Sequence, residues 1–97
     1  MEQRRIHQGK WAERVLAERL AGGDRSALVD LYDRYSGFVY GLALRTLTNR
    51  QAAEDVTIDV YAQVSRQGSS DDANRGTPST WILTLTRSYA IDRLRQE

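Results

Sequence analysis

The chain of 97 residues has no cysteine, one histidine and one proline, and no apolar run long enough to cross a membrane. Each absence removes a class of function. Without cysteine there are no disulfides, no thiolate metal sites and no cysteine nucleophile, a composition compatible with a reducing cytoplasm. The single imidazole, His7, lies in a polar N-terminal stretch; alone it cannot build a metal site or a catalytic triad, and it reads as a solvated terminal residue. No glycine-rich phosphate loop follows a strand, so neither an enzyme nor a bound cofactor or metal is expected. The opening residues Met1 to Arg5 lack the apolar segment of a secretory signal, so the expected location is the cytoplasm, with no membrane insertion. An excess of one charge is missing as well. Fourteen basic against 13 acidic residues leave a net charge of +1, short of the basic surplus of a protein that holds duplex DNA by neutralising phosphates.

The distribution of charge says more than its sum. Arg75, Arg87, Arg93 and Arg95 dominate the last quarter, while Glu54, Asp55 and Asp59 make the third quarter acidic. Such a split suits a module with one polyanionic partner and one basic protein partner, and solvated helix faces would also produce it.

Apolar spacing points to helices throughout. Residues 1–9 are polar and expected to be a loose tail. A short amphipathic helix over about 10–21 carries Trp11, Val15, Leu16 and Leu20 on one side and closes at Gly22-Gly23. Asp24 is an N-cap for a long core helix over 25–47, in which Leu28, Leu31, Tyr32, Tyr35, Val39 and Leu42 recur at steps of three and four. Gly37 and Gly41 within it would permit close helix approach. Thr48 and Gln51 have the spacing of a capping box for a third helix over 50–67, with Ala52, Val56, Val60 and Val64 inward and Ala53 and Tyr61 beside them. Residues 68–76 are a polar loop. No stretch alternates like a strand, so the expected fold is all-α: a compact bundle of three main helices plus a short N-terminal one, forming a single domain over 10–97.

The last helix, over 78–96, has the clearest start. Thr77 is a good N-cap, and Pro78 occupies the first helical position, where its missing N–H costs nothing. Ile82, Leu85 and Tyr89, extended by Leu83, Ala90 and Leu94, fall on a side that wants a core. Trp81, Thr84, Ser88, Asp92 and Arg95 fall along another. That second stripe offers hydrogen-bonding groups with an aromatic at one end and a guanidinium at the other, which suits bases and phosphates. Trp81 is equally compatible with a core position, since a tryptophan at a helix start can pack and still expose its edge.

These segments resemble region 2 of bacterial extracytoplasmic-function (ECF) sigma factors. The residues that carry the resemblance are Arg75-Gly76, Trp81, Leu83, Arg87 and Ala90 to Arg95; Ala53 to Val56 with Asp59-Val60-Tyr61; and Leu31 to Tyr35 with Val39-Tyr40. It covers roughly residues 24–95 in the family's order. The resemblance implies a promoter-recognition domain that binds core RNA polymerase and captures the non-template strand of the minus-ten element, with one base flipped into a pocket formed largely by the loop. Carried over position by position, the nucleic-acid contacts fall on Asn74, Arg75, Gly76, Thr80, Trp81, Thr84, Arg87, Ser88, Asp92 and Arg95. The third helix would grip the clamp helices of the polymerase β′ subunit through Asp55, Ile58, Asp59 and Ala62.

Three positions depart from the family pattern. Ser88 stands where many relatives have Asn, replacing an amide with a short hydroxyl and implying a different minus-ten preference. Ile58 replaces the usual Gln, and Ser65 a frequent Trp. An exposed Ile58 also suits an apolar partner such as an anti-sigma factor. The family carries a second helical domain, region 4, which reads the minus-thirty-five element; the chain does not reach it, and the expectation is a piece of a longer protein. The competing readings are a repressor-type DNA-binding domain, against which the nine-residue polar loop before Thr77 argues, and a purely protein-binding bundle.

Overall fold

A computed structural model describes the backbone over residues 2–68 and 76–96, and side-chain surroundings from residue 12 onward. Four helices, α1 (Glu2–Ala21), α2 (Arg25–Leu47), α3 (Arg50–Gln67) and α4 (Pro78–Gln96), follow one another, and no strand occurs among the described residues. The all-α fold is as expected. α2 is the hub, packed against all three other helices; α3 and α4 also pack on each other, and α1 lies across α2 and α4.

One core serves all four. Leu31, Val39, Val56, Val60, Val64 and Ile82 are fully enclosed, with Leu16 and Leu20 of α1 closing one end. The small residues Ala27, Ala43, Ala52, Ala53 and Ala90 lie between them. Thr86 is the one polar side chain among the largest fully buried ones. Its hydroxyl donates to the Ile82 carbonyl at 2.7 Å, so burying it leaves no orphaned donor.

Several local expectations are corrected. α1 starts at Glu2 rather than near residue 10, because Gln3, Arg4, Arg5 and Gln8 are good helix formers that leave no apolar period to detect. Gly9 costs only about 1 kcal/mol, too little to stop the helix. The N-cap of α3 is Asn49, whose Oδ1 accepts from the Ala52 amide at 2.9 Å. Thr48 instead ends α2 in the left-handed region, with φ of 51° and its N–H donating to the Leu44 carbonyl at 2.7 Å. A two-residue turn leaves each residue one task, and the longer amide side chain takes the cap. A Cβ added at Gly37 or Gly41 would meet nothing within 4 Å, so neither glycine serves close packing. Gly68 does: a Cβ there would lie 2.8 Å from the Leu20 side chain, where the end of α3 meets α1. Tyr32 stands half-exposed, its ring edge-on to Tyr61 with centroids 5.0 Å apart, and Leu94 is exposed at the end of α4.

Candidate nucleic-acid and protein-binding faces

α4 begins at a built junction. Gly76 adopts a φ of +79°, and the chain then enters Thr77, whose carbonyl accepts from Trp81 N–H at 2.9 Å and whose Oγ1 accepts from Thr80 N–H at 3.3 Å. Asn74 and Arg75 lie outside the described residues. Beyond the cap, Thr80, Thr84, Arg87, Ser88, Asp92 and Arg95 are all exposed. Trp81 is only 8% exposed and belongs to the core, one helical step inward of the line through Thr80, Thr84, Arg87 and Ser88. That displacement of a large ring into the interior anchors the helix start.

The exposed groups differ in what they can offer. The Thr84 hydroxyl donates to the Thr80 carbonyl at 2.9 Å, so it presents acceptor lone pairs outward. The side chains of Ser88, Arg87 and Arg95 make no hydrogen bond or ion pair with described residues and keep their full capacity. Beside the junction, Tyr35, Phe38, Ser79, Thr80, Ile82 and Leu83 line an open cleft of about 410 Å³. Phe38, 55% exposed, gives that cleft an aromatic wall that the sequence pattern did not single out, because a lone Phe in a helix reads as core.

α3 turns out a different surface. Glu54, Ile58 and Asp59 are exposed, and Asp55 and Ala62 are half-buried along its flank. Ile58, 67% exposed, borders an open groove of about 680 Å³ lined by Tyr32, Gly37, Tyr40, Thr57 and Tyr61. Asp55 is already engaged: one oxygen accepts from Arg93 of α4 at 3.1 Å, the other from Gln51 at 3.1 Å. The two aspartates four residues apart therefore part company, Asp55 tying α3 to α4 and Asp59 remaining outward. Burial pushes the Tyr61 hydroxyl well above the usual tyrosine range, reinforced by Tyr32 and Tyr35, so it stays neutral; it donates to the Leu31 carbonyl at 3.3 Å.

Glu13 of α1 is the residue that sequence reasoning missed. Its Oε1 accepts from the Ser79 amide of α4 at 3.0 Å and from the Tyr35 hydroxyl of α2 at 3.0 Å. Burial alone would raise its pKa, but hydrogen bonds from the Ser79 hydroxyl and amide and from Tyr35, with the charge of Arg34, outweigh that and hold it below the usual carboxylate range. No signal at a separation of 66 residues could have paired Glu13 with Ser79. Among the described residues no group of acidic or imidazole side chains could hold a metal, and no helix is long and apolar enough to cross a membrane.

Comparison with known proteins supplies the family. The model of sigma-70 region 2 matches residues 31–97. The chain is 41% identical over 83 residues to an ECF RNA polymerase sigma factor SigK of Mycobacterium sp. (strain KMS), covering 86% of the chain and 43% of that protein. It is 37% identical over 83 residues to the SigK of Mycobacterium tuberculosis (strain CDC 1551 / Oshkosh), covering 86% and 44%. The chain thus spans less than half the length of these relatives. No solved structure matches it.

Proposed function

Since the chain belongs to the sigma-70 region 2 family, in its ECF branch, we propose that it is the promoter-recognition domain of an alternative sigma factor, which docks on core RNA polymerase and captures the single-stranded non-template strand of the minus-ten element. The observation that carries this reading is the outward face of α4: hydroxyls at Thr80, Thr84 and Ser88 run beside the exposed Arg87 and Arg95, next to a capped loop junction. Unstacked bases present edges that short hydroxyls can read, and phosphates follow guanidiniums. Asn74, Arg75 and Gly76 of the preceding loop would complete the capture, with Asp92 at the far end and Trp81 supporting from within.

α3 is the polymerase-facing side of the proposal. Exposed Ile58 and Asp59, flanked by Ala62, form an apolar and acidic surface suited to the basic, helical clamp of the β′ subunit. An anti-sigma factor would compete for the same apolar surface. Because Asp55 is tied to Arg93, it contributes through the orientation of α3 against α4. The test uses single-stranded and duplex promoter oligonucleotides in a gel shift. Preference for the non-template single strand over duplex is expected, with duplex binding in the non-specific range of about 10⁻⁴ to 10⁻⁶ M. Tight sequence-specific duplex binding would instead favour a repressor-type domain.

A further inference from the structure

α1 contributes no residue to either proposed binding face, yet it reaches the cleft beside the loop junction at one point. Glu13 holds Tyr35 on one wall and Ser79 on the other, and both residues line the cleft together with Phe38 and Thr80. Ser79 N–H is one of the first-turn donors of α4 that has no partner within its own helix, and a carboxylate placed there also meets the positive end of the helix dipole. The neighbouring cap bond, Thr80 N–H to Thr77 Oγ1, is long at 3.3 Å. The bond to Glu13, at 3.0 Å, is therefore the firmer of the two side-chain bonds to amides of the first turn. Three residues before Ser79 the chain is at Gly76, whose left-handed φ favours a residue without a Cβ.

We propose that Glu13 is a positioning residue for strand capture: by pinning Ser79 and Tyr35 together it fixes the start of α4 and the exit of the loop in the pose that receives an unstacked base. It does so from α1 without touching the nucleic acid, and the inference rests on the minus-ten reading above. Its sign is distinctive. A carboxylate beside the path of a polyanion opposes binding electrostatically, so removing its charge should strengthen binding if charge were all that mattered. A positioning role predicts the opposite.

The 97-residue chain is compared with Glu13→Ala, which removes the acceptor, and Glu13→Gln, which keeps an acceptor oxygen without the charge. Amide hydrogen exchange at Ser79 is followed by NMR, and affinity for the single-stranded minus-ten oligonucleotide is measured by competition. In Glu13→Ala the Ser79 exchange should rise and the affinity fall, each by roughly tenfold, whereas Glu13→Gln should stay within about threefold of the parent in both. Unchanged Ser79 exchange in Glu13→Ala would show that no latch exists. Faster exchange with unchanged or tighter oligonucleotide binding would overturn the link to strand capture. If the parent chain itself lacks preference for the non-template strand, it is the minus-ten reading that fails, and with it the positioning role; the exchange at Ser79 still decides the latch alone.

Discussion

Between its first and last turns α3 turns out Glu54, Ile58 and Asp59, two carboxylates around an exposed apolar side chain, whereas the stripe of α4 is Thr80, Thr84, Arg87, Ser88, Asp92 and Arg95, hydroxyls beside two guanidiniums and one carboxylate. The two helices bury nearly the same kind of residue against the same hub, α2, so the core does not distinguish them. Only the outer faces do. The net charge of +1 therefore says little about either face, because a sum over the whole chain hides what the geometry separates. Where the faces come closest, Asp55 and Arg93 join them through an ion pair, each side chain about a third exposed.

If both faces hang on one core, a cavity in it should disable them together. Ile82 is 1% exposed near the start of α4, and Ile82→Ala should cost about 2 to 5 kcal/mol in chemical denaturation while weakening oligonucleotide and polymerase binding alike. Loss of one function alone would mean the faces do not share a foundation.

The converse substitutions should separate the faces. Ile58→Glu combined with Asp59→Lys should abolish pull-down of core polymerase yet shift the unfolding free energy by no more than about 0.5 kcal/mol and leave oligonucleotide binding in place. Arg87→Ala should do the reverse, lowering the slope of log affinity against log salt for the oligonucleotide by about 1 and sparing the pull-down. Asp55 is a poor choice for such a test, because its replacement also removes the ion pair that joins α3 to α4.

How much of this was legible in the chain depends on how far apart the interacting groups lie. The α4 start at Thr77-Pro78 and the inward line of α3 from Ala52 to Val64 follow from spacing within one helix, and the structure has both. Periodicity places Trp81 and Thr84 on one stripe, but the packing of α4 against its neighbours turns Trp81 inward and leaves Thr84 out. Thr86, which no spacing assigned to the core, is fully buried with its hydroxyl donating to the Ile82 carbonyl. Tyr32 and Leu94 fit an apolar period and still end up outside, because a helix of this length has more apolar positions than its neighbours can cover. Glu13 with Ser79 and Asp55 with Arg93 were out of reach, since each pair joins different helices.

A smaller effect is expected in acid. Asp24 is held at about 2, below its ordinary 3.8, by hydrogen bonds from the Ser26 hydroxyl, Arg19 and the Ser26 amide, and Glu13 is also lowered. Both carboxylates bind protons more weakly in the folded chain than unfolded. Their contribution is therefore complete above about pH 4.5 and lost as pH falls, through about 2 in the case of Asp24. Asp24 faces Arg19 of α1, and Glu13 faces Tyr35 and Arg34 of α2. Asp24→Asn and Glu13→Gln should each flatten the fall in melting temperature between about pH 4.5 and 2. An acid limb identical to the parent's in both variants would mean that these bonds do not persist in solution.

The central claim, that the outward stripe of α4 reads bases, is tested most directly at Ser88. Its side chain is exposed and can rotate to donate or accept, and Ser88→Asn offers an amide with both capacities on a longer arm. In a competition series where each base of the single-stranded minus-ten oligonucleotide is varied in turn, the account predicts a changed preference of about 1 to 3 kcal/mol at one base position, with the others unmoved. A uniform shift across all oligonucleotides, or no shift, would contradict it, because Ser88 would then face no base and the stripe would be wrongly phased.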